Sequence, residues 1–249
     1  MPSSKIENIK VYRNIEVDNR PKWGEQWDEK LMDYLLEIGP LKFFQKMLAK
    51  KAEEPCLVLG ASWHDQSIVS PFFKRIIGVN ISLEELRKSK NMSIEYEWMV
   101  CDGENLPFKN SVFKNVISKS FLHHVDPVKE LKEIKRVTSK KGFLFLWEPG
   151  RYNLIAAVGR KFFPTRDHVS SEEPFDPSVL RELTLNYFGT IIYEEYFFIN
   201  TVILPVLAKH CKLFKSKKLM SILVKFDGFL CRSFFKKFSW IIIIGAQKG

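Results

Sequence analysis

Short apolar segments alternate with amphipathic ones along the middle of the chain. Between residues 55 and 150 the apolar segments are typical of buried strands, and charged stretches between them carry apolar residues at helical spacing. Strands are predicted at 56–60, 75–82, 97–102, 114–120 and 142–149, and helices at 83–90 and 127–138. Because repeated strand–helix alternation builds a parallel sheet through right-handed crossovers, this part of the chain predicts an α/β fold.

The flanking regions extend this pattern without any linker or internal repeat. Helices are predicted at 25–38, 41–51 and 176–187, with Gly39-Pro40 ending the first, and strands at 190–198 and 239–248. We therefore interpret residues 1–249 as a single domain. Its parts are an N-terminal helical segment (1–54), a ligand-binding core (55–150) and an insert before the last strand (199–238).

The insert carries most of the positive charge of the protein. Residues 200–238 hold nine lysine and arginine residues and one acid, or +8 of the net charge of +10. Its apolar residues recur at three- and four-residue steps, with basic and polar residues mostly opposite, which predicts a basic amphipathic helix. The apolar positions are Leu219, Leu223, Phe226, Leu230 and Phe234, and the opposite positions are Lys218, Ser221, Lys225, Arg232 and Lys236.

Two interpretations of this helix stay open. It is either a lid whose apolar face packs on the core, or an interfacial helix on an anionic membrane surface through residues 209–237. Nucleic acid is a less favoured partner, because the aromatic residues belong to the apolar stripe and form no stacking platform among the lysines.

Several other classes of protein are disfavoured by what the sequence lacks. No apolar run approaches the roughly 18 residues that span a bilayer, and the N-terminal residues MPSSKIENIK have no signal-peptide core. Cys56, Cys101, Cys211 and Cys231 are scattered, without metal-ligand spacing. We expect free thiols, no metal site and a cytoplasmic location, with a peripheral position at the membrane left open.

Polar and small residues follow the predicted strands, at the sheet edge where ligands bind in open α/β folds. These positions are Gly60 onward, Asn80, Asp102, Ser118 onward and Glu148. The edge is therefore the predicted ligand site.

Three blocks of this core resemble class I S-adenosylmethionine-dependent methyltransferases of the type 11 group, related to quinone- and sterol-modifying enzymes. CDGENLPFKNSVFKNVISKSFLHHV (101–125) is the most specific block, and GVNISLEEL (78–86) and EIKRVTSKKGFLFLWEPG (133–150) flank it. With residues 57–60 the resemblance covers roughly residues 55–150. It implies a Rossmann-like methyltransferase fold: a mostly parallel seven-stranded sheet with helices on both faces, here with a helical insert before the last strand.

The resemblance also implies S-adenosylmethionine as the cofactor and assigns roles around it. Asp102 stands where an acid accepts a hydrogen bond from the adenine amine, with Gly103 beside the ring, and Asn80 stands where an acid binds the ribose hydroxyls. Simple turn roles for Asp102 and Asn80 remain alternatives. The implied cofactor-binding residues are Gly60, Ala61, Ser62, Asn80, Ile81, Asp102, Gly103 and Ser118.

The loop after the first strand departs from the glycine-rich family pattern, roughly D-x-G-x-G-x-G. Gly60 is kept, whereas Val58, Ser62 and His64 replace the acid and the other two glycines. Those glycines allow positive φ and a close approach of the backbone to the cofactor. The departure motivates a second hypothesis, a non-catalytic relative that keeps the fold as a binding or scaffold protein.

Methyl transfer needs an acceptor atom aligned with the methyl group more than it needs acid–base chemistry, and a general base helps only when the acceptor has a proton to lose. His123, His124 and Glu148 follow predicted strands and are the candidate catalytic residues, with structural packing as the alternative. The first hypothesis is methyl transfer to a small, hydrophobic or lipid-linked acceptor. An RNA methyltransferase is a third possibility.

Overall fold

The computed structural model describes residues 29–62, 65, 68–92, 96–162, 173–197, 210–211 and 216–249. It begins with helix α1 (Glu29–Leu36), a π-helical turn (Glu37–Leu41) and helix α2 (Lys42–Lys51). The prediction that Gly39-Pro40 ends the first helix is confirmed: Gly39 adopts the non-helical angles φ −114° and ψ −107°, and a second helix follows after a kink. These angles relieve the clash that Pro40 imposes on a preceding helical residue.

The described residues form the predicted seven-stranded sheet. Its strand order is β3-β2-β1-β4-β5-β7-β6, and β7 runs antiparallel to the other six strands. The strands are β1 (Cys56–Leu59), β2 (Ile76–Asn80), β3 (Tyr96–Val100), β4 (Phe113–Lys119), β5 (Thr138–Pro149), β6 (Thr190–Tyr196) and β7 (Ile241–Gln247). The carboxyl ends of β1 to β5 therefore share one edge, as the sequence predicts.

Aspartate–proline pairs begin two of the helices on the sheet. Asp126 accepts hydrogen bonds from the Val128 and Lys129 amides, and Asp176 caps the later helix in the same way. One helix, α5, is not foreseen from the sequence pattern. The helices are α3 (Leu83–Met92), α4 (Pro127–Val137), α5 (Leu154–Phe162), α6 (Pro177–Tyr187) and α7 (Lys217–Cys231).

Both faces of the sheet are covered, and this explains the uninterrupted apolar runs of the central strands. In β5, Phe145 and Trp147 belong to one buried cluster, which includes residues of α1, α2 and α7. Leu144 and Leu146 belong to the cluster on the other face, with residues of α4 and α6. Strand periodicity therefore decides which helices each residue meets.

Helix α7 is oriented differently from the predicted apolar face. Its buried residues are Met220, Asp227 and Cys231, whereas Phe226 is 54% exposed. Phe234 is 77% exposed and lies beyond the helix, in a 3₁₀ turn (Phe234–Phe238). Of the predicted stripe, Leu219 and Leu223 pack against the core, whereas Phe226 and Phe234 do not. Positions 220, 224, 227 and 231 share the core-facing side, and position 226 is turned away from them. Residues 199–209 and 212–215 of the insert lie outside the described residues.

Across the described ranges, no helix has the length and apolar character needed to cross a membrane.

Candidate cofactor pocket

A pocket opens at the carboxyl edge of the sheet, over the ends of β1, β2, β3 and β4. Its wall combines backbone from three turns with one carboxylate, one amide and one imidazole. The lining residues are Gly60, Val79, Asn80, Ile81, Cys101, Asp102, Gly103, Ser120, Phe121, His124 and Val125. Five of the eight predicted cofactor-binding residues, Gly60, Asn80, Ile81, Asp102 and Gly103, lie in this wall.

Asp102 and Gly103 form the pocket wall just past β3. Asp102 Oδ1 accepts a hydrogen bond from the Glu104 amide at 3.0 Å, which caps the 3₁₀ turn Gly103–Asn105. A Cβ at Gly103 would lie 2.7 Å from a carboxylate oxygen of Glu130, so any other residue would require the Glu130 side chain to shift. The cap therefore holds the Asp102 carboxylate in place at the start of a tightly packed turn.

Asn80 joins the loops that follow β1 and β2. Its Nδ2 donates to the Ala61 carbonyl at 3.2 Å, and its Oδ1 accepts from the Ser82 amide at 2.9 Å. The Ala61 amide donates to the Val79 carbonyl at 2.9 Å. The amide side chain thus has the turn role that the sequence left open, and it lies in the pocket wall at the same time.

Gly60 makes the turn out of β1 with φ +61°, in the left-handed region that favours glycine. A Cβ there would lie 2.6 Å from the ring of Phe121. Ala61 is fully buried and Ser62 is half-buried, and neither lines the pocket. Trp63 and His64 lie outside the described residues.

Asp65 organises the loop where the family has further glycines. Its Oδ2 accepts hydrogen bonds from the Ser62 amide at 2.9 Å and from the Ser62 hydroxyl at 3.1 Å. Its Oδ1 forms an ion pair with Lys119 Nζ at 3.3 Å, at the end of β4. The Asp65 side chain therefore connects Ser62 to the end of β4.

The three candidate catalytic residues occupy one cluster behind and beside the pocket. Glu148 is fully buried, and its Oε1 accepts from the Phe121 and Leu122 amides at 3.1 Å and 2.9 Å. Its Oε2 lies 2.7 Å from His123 Nδ1. The rings of His123 and His124 are 4.0 Å apart, and of the three residues only His124 lines the pocket.

Burial raises the pKa of Glu148 to about 7, although the Leu122 and Phe121 amides and the nearby His124 oppose the shift. Burial, with Glu130 and Asp102 nearby, also raises the pKa of Cys101 to about 11. The Cys101 thiol in the pocket wall is therefore neutral near pH 7.

The structure places Ser118 inside β4, fully buried between Leu59 and Leu146 on the neighbouring strands. Ser120, two residues later, lines the pocket instead, with φ +50°. Five residues of the wall are not among the site residues named from the sequence: Val79, Cys101, Ser120, Phe121 and Val125. Each is adjacent to a predicted site residue or lies in the SFLHHV segment (120–125).

Among the described residues, no group of three or more histidine, cysteine, aspartate or glutamate side chains has the geometry of a metal site.

Residues 59–146 match the family model of the methyltransferase domain, and they include the wall of the pocket. This segment is similar to methyltransferase domains, whose cofactor is S-adenosylmethionine. No curated protein sequence matches the chain.

Several solved structures share the fold of this chain. The YcgJ protein of Bacillus subtilis is 17% identical, with a TM-score of 0.53 over 84% of this chain and 97% of its own. An S-adenosylmethionine-dependent methyltransferase from Archaeoglobus fulgidus is 15% identical, with a TM-score of 0.55 over 86% and 97% of the two chains.

A phosphoethanolamine N-methyltransferase from Haemonchus contortus, solved with S-adenosylhomocysteine and phosphomonomethylethanolamine, is 15% identical with a TM-score of 0.54. The similarity covers 83% of this chain and 52% of that one. At these identities the comparisons establish the fold of the domain.

Proposed function

We propose that this methyltransferase transfers a methyl group from S-adenosylmethionine to a small, hydrophobic or lipid-linked acceptor. The observation that carries the cofactor assignment is the set of groups in one pocket: a carboxylate (Asp102), an amide (Asn80) and glycine backbone (Gly60 and Gly103). A carboxylate suits the adenine amine, and an amide suits the ribose hydroxyls. The residues present therefore fit an adenosine ligand.

The order of the strands orients the cofactor. Asp102 follows β3 and Asn80 ends β2, so adenine and ribose lie over the outer half of the parallel sheet. The rest of the cofactor then extends over β1 and β4, toward the turn that carries Phe121 and His124. Ala61, Ser62 and Ser118 act in this proposal as support for the loop and strand beneath it.

When bound, S-adenosylmethionine supplies an electrophilic methyl group on a positively charged sulfur, a good leaving group. Positioning of the acceptor therefore contributes most of the rate enhancement. His124 lines the pocket and is the residue that would take a proton from a protic acceptor. His123 and Glu148 position the turn that carries it.

The first test is calorimetric titration of the purified protein with S-adenosylmethionine and S-adenosylhomocysteine. We expect micromolar binding, and Asp102→Ala should weaken it by about 20-fold or more, because a hydrogen bond to a charged group contributes about 1.5–3 kcal/mol. Asp176→Ala is the matched control, since it removes a capping aspartate from α6, and Asp176 is absent from the pocket wall.

Absence of heat and of thermal stabilisation at millimolar ligand would contradict the proposal and favour the scaffold hypothesis. Equal binding by wild type and Asp102→Ala would contradict the orientation of the adenine.

The acceptor proposal is supported by the exposed surface of α5 and α7. On α7, Ile222, Phe226 and Phe229 are 56%, 54% and 69% exposed. On α5, the exposed apolar residues Leu154 and Phe162 fall on one side, two turns apart. Exposed aromatic and aliphatic side chains grouped on a helix are typical of a membrane or partner interface.

Basic residues surround this apolar surface. Lys218 and Lys225 are exposed on α7 beside its apolar residues, Arg232 directly follows the helix, and Lys236 and Lys237 lie in the 3₁₀ turn. Asn153 links the start of α5 to the 3₁₀ turn that follows α7: its Oδ1 accepts from the Ala156 amide in α5, and its Nδ2 donates to the Phe238 carbonyl at the end of that turn. Apolar residues among lysines fit the surface of an anionic bilayer, so we propose a peripheral position there.

Changing Lys217, Lys218, Lys225, Arg232 and Lys236 to glutamine should reduce binding to phosphatidylserine-containing vesicles by about 100-fold or more. Each basic residue near an anionic surface contributes on the order of 1 kcal/mol. The matched control changes five exposed lysines on other surfaces, Lys42, Lys46, Lys50, Lys109 and Lys132, and should leave most of the binding. Equal co-sedimentation of both variants, or no binding of the wild type, would contradict the membrane proposal.

A further inference from the structure

Lys119 immediately precedes Ser120, which lines the cofactor pocket, and forms an ion pair with Asp65 that has no counterpart in the glycine pattern of the family. Lys119 Nζ is 3.3 Å from Asp65 Oδ1, and the side chains are 22% and 5% exposed. The aspartate is therefore enclosed, whereas the lysine can still be reached from outside. A cation in this position is costly to keep unless it serves the loop or a ligand.

Both carboxylate oxygens of Asp65 already have partners within the protein. Asp65 Oδ2 accepts from both the amide and the hydroxyl of Ser62, and Oδ1 faces Lys119. The lysine ammonium, in contrast, has three N–H donors, and a single carboxylate oxygen satisfies only part of that capacity. The geometry thus fixes the ammonium group from one side and leaves its exposed side able to contact an anion.

The strand register places this ammonium at the end of the cofactor away from adenine. Leu59 pairs with Ser118, so the residues that come next, Gly60 and Lys119, lie side by side where β1 and β4 end. Adenine at Asp102 and ribose at Asn80 direct the remaining part of the ligand toward β1 and β4. That remaining part is an amino acid group, which carries a carboxylate.

We propose that Lys119 binds the carboxylate of the amino acid part of the cofactor, and that Asp65 positions its ammonium group. This inference rests on the proposed binding of S-adenosylmethionine in the orientation given above. In this chain a side-chain cation then supplies an interaction with the amino acid group, next to a loop in which Ser62 and His64 stand in place of glycines. Asp65 is a positioning residue, because it acts through Lys119 and through the Ser62 amide.

The test compares two ligands that differ only in the amino acid part. S-adenosylhomocysteine contains it, whereas methylthioadenosine keeps the adenosine and the sulfur without the carboxylate. In calorimetric titrations, Lys119→Met should weaken S-adenosylhomocysteine binding by about 20-fold or more, the size expected for a charge-assisted contact, and leave methylthioadenosine binding within about twofold. Lys119→Arg should keep most of the affinity for both ligands.

Two further variants control for structural effects. Lys114→Met removes a lysine from the same strand, at the opposite end, where it pairs with Glu53 at 3.6 Å, and should change neither affinity. Lys119→Gln keeps a polar side chain of moderate length and should show the same ligand selectivity as Lys119→Met if the latter folds poorly.

Each outcome separates the inference from the proposed function. If the Lys119 variants bind both ligands more weakly by the same factor, the ion pair serves the fold alone. If they bind both ligands as the wild type does, Lys119 has no role in ligand binding. Either result overturns the inference while the cofactor assignment stands. Failure of the wild-type protein to bind either ligand would overturn the cofactor proposal and the inference together.

Discussion

Replacing Gly60 with alanine is expected to lower the free energy of unfolding by about 2–5 kcal/mol and to abolish measurable cofactor binding. The backbone at Gly60 has φ +61°, which costs an L-residue about 1–2 kcal/mol. The new Cβ would lie 2.6–2.9 Å from three atoms of Phe121, including its Cβ, so the ring cannot rotate away. Overpacking of this kind costs about 1–3 kcal/mol more. Because Phe121 lines the pocket, its displacement should also disrupt the cofactor site.

Gly228→Ala is the matched control for this prediction. Gly228 lies inside α7, and a Cβ there would meet no atom within 4 Å. Alanine should therefore stabilise the helix by up to about 1 kcal/mol and leave cofactor binding unchanged. Urea denaturation and calorimetric titration measure both quantities. A Gly60→Ala protein as stable as wild type would show that the turn and the ring adjust freely, contrary to the packing described here.

The sequence was most informative where one physical cause dominates the local structure. The central strands are apolar on both faces because helices cover both, and the alternation of Leu144 and Phe145 between two clusters follows from strand periodicity alone. Asp126-Pro127 and Asp176-Pro177 mark helix starts through capping and a fixed φ. The seven-stranded sheet was predictable for these reasons.

The sequence did not predict which side of α7 faces the core, or that α5 forms, because contacts between distant residues decide both. Helix α7 has apolar residues on more than one side, and tertiary contacts turned Met220 and Cys231 toward the core and left Phe226 exposed. Helix α5 begins at Asn153, whose side chain both caps the helix and donates to the distant Phe238 carbonyl. Such long-range contacts leave no periodic signal in the sequence.

The candidate site was predictable in its chemistry and only partly in its geometry. Asp102, Asn80 and Gly60 follow strands directly, so their position at the edge follows from the parallel sheet. Ser118 was predicted to contact the cofactor, but it lies within the buried strand β4. Ser120, beyond a change to positive φ, lines the wall instead. The two positions from Ser118 to Ser120 separate the interior of the strand from the pocket wall, and periodicity does not locate the end of a strand this closely.

The pH dependence of the free energy of unfolding should separate the charge of Glu148 from its hydrogen bonds. Burial raises its pKa from an ordinary 4.5 to about 7, so the folded protein binds more protons than the unfolded chain between these values. The stability that this group contributes is therefore complete below about pH 4.5 and is lost as pH rises through about 7. The loss corresponds to about 3 kcal/mol. Glu148→Gln, which is neutral throughout and keeps an oxygen for the Phe121 and Leu122 amides, should lack this decline.

Glu148→Leu distinguishes charge from hydrogen bonding, because it removes the acceptor as well. The two amides and His123 would lose their shared partner in a fully buried site, which should cost about 3–5 kcal/mol at any pH and displace the turn that carries Phe121 and His124. Urea denaturation from pH 5 to pH 8 is the measurement, with the wild-type slope compared with that of each variant. Parallel slopes for wild type and Glu148→Gln would mean that Glu148 stays ionised across this range despite its burial. In that case the paired His123 and the two amides stabilise the carboxylate more strongly than desolvation opposes it. The Glu148 carboxylate near His124 would then keep the same charge from pH 5 to pH 8.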